Sequence, residues 1–394
     1  MTATNIYIIF LVLLAFEFCV SSVLSYLNKK NWKLTLPDEV KEVYNEEEYK
    51  KSMKYEQAKY SFKISTLFSS LIIFLLVFIF KVFDFIANFF HEIITNLIFL
   101  ILLLSQTILN LPFAYYSTFV IEQKFFNKST KKLFFIDTIK TFLLGLVIII
   151  FALLNYFYIL SSSYFWLFAW IFITLFSVFM ILFHSSLIVP LYNKQTPLPE
   201  ELKEKITSFA KTIGFTITDI FVIDSKRSTK ANAYFSGFPK KRIVLFDTLI
   251  KDLTHEELVA VLAHELGHYK KRHILQMFIF SVIQSIIFFI LGLILANPVF
   301  ANALGSSNSF ILILAFSIIF SPVSMILVLN ILSRKNEYEA DEFSAKTYNS
   351  EALRNALIKL SKNNLANLTP HKAYEFFYYS HPGILKRLKE LKKD

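Results

Sequence analysis

Long apolar runs separated by lysine-rich polar loops organise most of this chain. Seven runs near 6–27, 64–80, 93–115, 141–160, 165–187, 274–296 and 310–332 approach or reach the roughly 20 residues that a helix needs to cross a bilayer. The second is the shortest. The polar intervals follow other periods. Residues 38–63 are dense in Glu and Lys and predict a charged helix or a hairpin of helices, with Glu46-Glu47-Glu48 on a solvated face. Residues 190–273 form the largest polar block. Within it Leu202, Ile206, Phe209 and Ala210 recur at helical spacing over 199–212. Pro199 suits the first turn, where its missing N–H costs nothing. Residues 220–223 and 242–246 read as short strands bracketing 231–236. Thr254 and Glu257 then form a capping box opening another helix. That helix is expected to run unbroken through His268 into the sixth span.

Composition agrees with a membrane protein. Of 394 residues, 55% are hydrophobic and 45 are phenylalanine, more apolar surface than a soluble domain of this length needs. The net charge is +11, and it is unevenly placed. Lys29, Lys30, Lys33, Lys50, Lys51 and Lys54 crowd one loop, and Lys124, Lys128, Lys131 and Lys132 another. Loops on the opposite side carry almost none, Lys81 being an exception. The positive-inside rule therefore puts the N-terminus outside and the C-terminus inside. The excess charge needs no nucleic-acid partner. The first apolar run has no basic residue before it and exceeds the usual signal-peptide core, so a retained anchor is expected. Cys19 is the single cysteine, which excludes a disulfide framework and a cysteine metal site.

The chemistry is concentrated in His264-Glu265-Leu266-Gly267-His268. Residues four apart share a helix face, so His264 and His268 can reach one metal ion, with Glu265 beside it as a base for a bound water. This pattern predicts one zinc per chain and hydrolytic chemistry. A catalytic zinc takes a third protein ligand, and the candidates downstream are His273, Glu337, Glu339, Asp341 and Glu342. On an unbroken helix His273 lies about 500° beyond His268 and faces away. A structural or interfacial role suits it better. Glu337 and Asp341 share a face at the returning end of the seventh span, opposite the motif, while Glu339 points elsewhere and is expected to be exposed. Glu337 is the expected ligand, and Asp341 the carboxylate that fixes a ligating imidazole. Gly267, costly inside a helix, is expected to let another backbone approach the metal.

These motifs resemble those of the type I integral-membrane CAAX prenyl proteases. The likeness extends to Asn232-Ala233-Tyr234-Phe235, to 241–249, to the E-x-x-A-D pattern at 337–341, and to His381-Pro382 with Arg387. It covers about the last half of the chain, while the first half agrees in span count and loop pattern. The resemblance implies His264, His268 and Glu337 as zinc ligands and Glu265 as general base. It implies that Asn232, Ala233 and Tyr234 belong to an edge strand pairing with the substrate, and that His381 and Arg387 reach the substrate and the developing oxyanion. It also implies seven helices around a water-filled chamber with the zinc facing inward.

The expected fold is therefore a predominantly α-helical integral membrane protein, with a zincin-like catalytic region containing a small β-sheet. Residues 1–189 supply five spans, 190–273 the motif region, 274–332 two spans and 333–394 the C-terminal catalytic helices. The expected partners are the lipid bilayer and a peptide or protein substrate, with or without a prenyl group. Heavy use of Phe, Ile, Lys and Asn favours a bacterial cytoplasmic membrane over the endoplasmic reticulum, and in a bacterium membrane-protein quality control competes with CAAX processing. A metal transporter would place its ligands mid-membrane on broken spans, whereas these lie at helix ends on the cytoplasmic side. A site-2-type intramembrane protease would carry a Leu-Asp-Gly partner motif, which the sequence lacks.

Overall fold

The computed structural model describes residues 3–33, 35–80, 108, 110–126, 128–159, 165–217, 219–227, 233–236, 242–295 and 329–392. Long helices span Ala3–Lys30, Glu46–Ile79, Lys131–Ile159, Phe165–Phe183 and His273–Leu295. Residues 46–63 of the charged segment continue into the second expected span as one 34-residue helix. Asn45 and Glu48 cap it reciprocally: the Glu48 N–H donates to Asn45 Oδ1 at 2.9 Å, and the Asn45 N–H donates to Glu48 Oε2 at 3.0 Å. Among the described residues no helix is long and apolar enough to cross a membrane. The third and seventh expected spans lie mostly outside the described residues. The described surface is nonetheless strongly apolar. Ile8, Val12 and Phe16 of the first helix, Ile72 and Ile79 of the second, and Ile279, Ile283 and Ile290 of the last are all exposed. Apolar stripes repeated over neighbouring helices match a lipid-facing surface.

The polar block folds into a four-stranded sheet of β1 (Gln195–Pro197), β2 (Asp219–Ile223), β3 (Ala233–Ser236) and β4 (Arg242–Phe246), in the order β1-β2-β4-β3. β2 and β4 are parallel, and the outer pairs are antiparallel. Ile243, Val244 and Leu245 of central β4 are fully buried, whereas β3 is an edge strand among the described residues. The amphipathic helix Glu200–Thr212 buries Leu202, Ile206 and Ala210, as its spacing predicted. These side chains pack with Ile243, Leu245, Leu249, Leu258, Leu262 and Leu266 in one core. Each fully buried leucine in it contributes about 2 kcal/mol of transfer free energy.

The motif helix, His255–Lys270, runs through this core, and its residues from Leu258 to His264 are all buried. Thr254 and Glu257 make both bonds of the expected capping box, at 3.3 and 2.8 Å. On its other side a second core joins Val40, Val43, Tyr44 and Met53 to Ala260, Leu353, Leu357, Leu388 and Leu391. The N-terminal loop is thereby bound to the C-terminal helices around the motif.

The helix does not continue into the next span as expected. It ends at Lys270, Arg272 adopts φ 57°, and a new helix starts at His273. A non-glycine residue in the left-handed region costs about 1 kcal/mol or more. Its surroundings therefore hold this turn in place.

Candidate metal centre

His264 and His268 leave the same face of the motif helix, and Glu337 meets them from the helix over 329–344. Their ligand atoms all lie within 4.8 Å of one another. Glu337 Oε2 is 3.6 Å from His264 Nε2, and Oε1 is 3.4 Å from His268 Nε2. The two imidazole Nε2 atoms face each other at 3.2 Å. At most one proton fits between them. Glu337 Oε2 is buried and accepts no hydrogen bond among the described residues. Two converging nitrogens and a buried carboxylate suit a cation, and this donor set is a usual one for zinc. The close helix approach depends on Gly267. A Cβ there would stand 3.1 Å from Ala340 Cα and 3.1 Å from Phe343 Cβ.

The other ring atoms are engaged. His264 Nδ1 lies 2.8 Å from Asp341 Oδ1. Burial pushes the His264 pKa down, but Asp341 outweighs it and the net shift is upward. Burial likewise opposes the Asp341 charge, yet Arg387 and His264 hold that carboxyl well below the usual range. Glu337 is also burdened by burial but held low by His268, His264 and Arg387. Burial raises Glu265, which suits a carboxylate that must accept and return a proton.

Arg387 is buried. Its Nε donates to Asp341 Oδ2 at 2.7 Å, its Nη2 to Asp341 Oδ1 at 2.6 Å, and its Nη1 lies 3.3 Å from Glu337 Oε2. It clamps both carboxylates rather than belonging to an exposed basic tail. His381 Nε2 is 3.3 Å from Glu337 Oε1. Its loop is held by Glu375, whose Oε1 accepts from the Gly383 N–H at 2.8 Å, and by the Arg334 Nη1, which donates to Tyr379 O at 2.6 Å.

Two expectations are corrected. The turn at Lys271–Arg272 brings His273 back toward the site, with its Nδ1 2.9 Å from His268 Nδ1. Glu339 does not stand apart: its Oε2 lies 3.2 Å from His273 Nε2. The His273 position follows from the break between Lys270 and His273.

A cavity of about 640 Å³ adjoins these groups. His264, Glu265, Glu337, His381, Arg387 and Ala233 line it, together with Tyr55, Glu56 and Lys59. The latter three come from the first half of the chain, where no motif singled them out. Ala233 and Tyr234 lie on edge strand β3, which packs against the motif helix. Asn232 and the side chain of Tyr234 lie outside the described residues.

Residues 198–394 match the model of peptidase family M48, and residues 25–194 match one described as the CAAX prenyl protease N-terminal, five membrane helices. The mouse CAAX prenyl protease 1 homolog is 36% identical over 353 residues, covering 77% of this chain and 74% of its own length. CAAX prenyl protease 1 of Saccharomyces cerevisiae is 38% identical over 334 residues, with 77% and 74% covered. The Dictyostelium discoideum homolog is 34% identical over 400 residues, with 93% of each covered. The crystal structure of S. mikatae Ste24p superposes with a TM-score of 0.88 at 34% identity, covering 98% of both chains. A likeness that extends over both the membrane domain and the peptidase domain leaves one assignment: the chain belongs to peptidase family M48, as a multi-pass membrane metalloprotease.

Proposed function

We propose that this protein is a membrane-embedded endopeptidase with one zinc held by His264, His268 and Glu337, which cleaves near the C-terminus of CAAX-type proteins or peptides, prenylated ones foremost. The observation that carries this reading is a cluster of three metal donors, His264, His268 and Glu337, two of which line a cavity together with Glu265, His381 and Ala233 of an edge strand. The names of the relatives support the substrate class. The N-terminal family domain supports five membrane helices in the first half, the apolar runs 274–296 and 310–332 would add two more, and the lysine-rich loops support an N-terminus outside with the site on the cytoplasmic face.

When bound, zinc supplies Lewis-acid polarisation and lowers the pKa of water. Glu265 takes the proton of the attacking water and delivers it to the leaving amine. His381 donates from Nε2 to the developing oxyanion. β3, as an edge strand, pairs with the substrate backbone through Asn232, Ala233 and Tyr234. Asp341 keeps the His264 proton on Nδ1, leaving Nε2 free as a ligand. Arg387 keeps Asp341 and Glu337 charged and in place, and its remaining reach is toward the substrate.

Matched C-terminal peptides with and without a farnesyl group test this reading in the purified, detergent-solubilised protein. The expected result is zinc-dependent cleavage confined to the farnesylated peptide. Equal cleavage of both would replace CAAX processing by general membrane-protein quality control.

A further inference from the structure

The two histidines of the motif are backed in different ways. Behind His264 stands a carboxylate, Asp341, with Arg387 on its far side. Behind His268 stands a third histidine. His273 is only 3% exposed, lies 2.9 Å from His268 through the two Nδ1 atoms, and lies 3.2 Å from Glu339 Oε2 through its Nε2. The other Glu339 oxygen is 3.7 Å from Lys335 Nζ at the solvent side.

We infer that His273 is a positioning residue for the metal site, the middle member of a chain Glu339–His273–His268 that fixes the tautomer and orientation of His268. This rests on the ligand set proposed above. Proton placement leads to it directly. His268 Nε2 faces Glu337 Oε1 and His264 Nε2. If that nitrogen is a ligand, the His268 proton must sit on Nδ1. His268 then donates to His273 Nδ1, which can only accept. The His273 proton therefore sits on Nε2 and donates to Glu339 Oε2. Each ring nitrogen has one task and one partner.

The backbone supports the same conclusion. The segment from Tyr269 to Ile274 has neither glycine nor proline, yet Arg272 takes a left-handed conformation, and that turn lets residue 273 meet residue 268. A continuous helix would carry His273 to the opposite face. The local conformational cost is retained at the point that completes the chain.

Zinc affinity, measured by chelator competition on the full-length protein, tests this without relying on turnover. His273→Leu is expected to weaken zinc binding about 10–100-fold, the usual effect of losing an outer partner of a ligating histidine. His273→Asn, whose side-chain oxygen can accept near the former Nδ1 position, is expected to recover part of that loss. A residue that merely fills space would give no such rescue. Glu339→Gln, at a partly exposed position, is expected to weaken binding by less than about tenfold alone, and to have no effect in the His273→Leu background, because the chain is already cut. Cobalt-substituted wild type and His273→Leu should differ in their visible ligand-field bands. Zinc affinity of His273→Leu within about twofold of wild type would overturn the proposal. So would equal effects of Glu339→Gln in both backgrounds. Glu337→Ala separates the two levels: if it keeps full zinc affinity the ligand set itself is wrong, whereas loss there with an unaffected His273→Leu refutes the chain alone.

Discussion

The flanks of the motif helix differ more than its symmetric spelling suggests. On the His264 side the support is buried and ionic, with Asp341 held between imidazole and guanidinium. On the His268 side it is a neutral ring leading to Glu339, whose side chain is 30% exposed. A buried charge pair fixes geometry but is costly when half of it is removed. A neutral ring next to a partly solvated carboxylate tolerates change better. Damage on the first side should therefore exceed equivalent damage on the second.

The largest effect is expected where both sides meet. Glu337→Ala removes a ligand and the second of the two carboxylates against Arg387, and metal analysis of the purified variant should find zinc lost. Asp341→Asn comes next. It leaves the Arg387 charge buried without its partner and should weaken zinc binding by about 10–100-fold, with a fall in thermal stability that Glu339→Gln does not share. Equal stability losses in these two variants would erase the contrast.

Acidification probes the same difference. In the metal-free chain the His264 pKa is raised above 6.5 by Asp341 against the effect of burial, whereas burial lowers that of His273. A raised histidine pKa stabilises the metal-free fold fully below the ordinary histidine value, and this contribution is lost as pH rises through the shifted value. For zinc the sign reverses, because protons compete for the ligand. Affinity should begin to fall while the pH is still above 6.5, and Asp341→Asn should move that fall toward lower pH. An unmoved profile would detach Asp341 from His264.

The smallest effect is expected at Gly267. Alanine gains about 1 kcal/mol of helix propensity but meets the Ala340 backbone at 3.1 Å. With overpacking costing about 1–3 kcal/mol, a net loss of about 1 kcal/mol should appear in thermal unfolding, shared by both sides of the site.

What could be read in the sequence follows from these contacts. His264, His268 and Glu337 were legible because four-residue spacing fixes a helix face and span topology returns Glu337 to the motif. The capping box and the buried face of Glu200–Thr212 were legible for the same local reason. His273 was misread because nothing between Lys270 and His273 signals a break, and Glu339 gains its partner only because one left-handed residue redirects the chain. β1 was missed because three residues ending in Pro197 carry no strand pattern. Tyr55, Glu56 and Lys59 reach the cavity only through tertiary packing. Arg387 was placed near the substrate by resemblance, and its double clamp on Asp341 has no sequence signature.

The central claim is that Glu265 serves as the base at a zinc held by His264, His268 and Glu337. Glu265→Gln keeps the side-chain shape and removes the proton acceptor, so zinc content and cleavage of the farnesylated peptide should be measured together on this variant. One zinc per chain is expected, with turnover reduced by about 10²–10⁴-fold. Turnover close to wild type with zinc retained would contradict it.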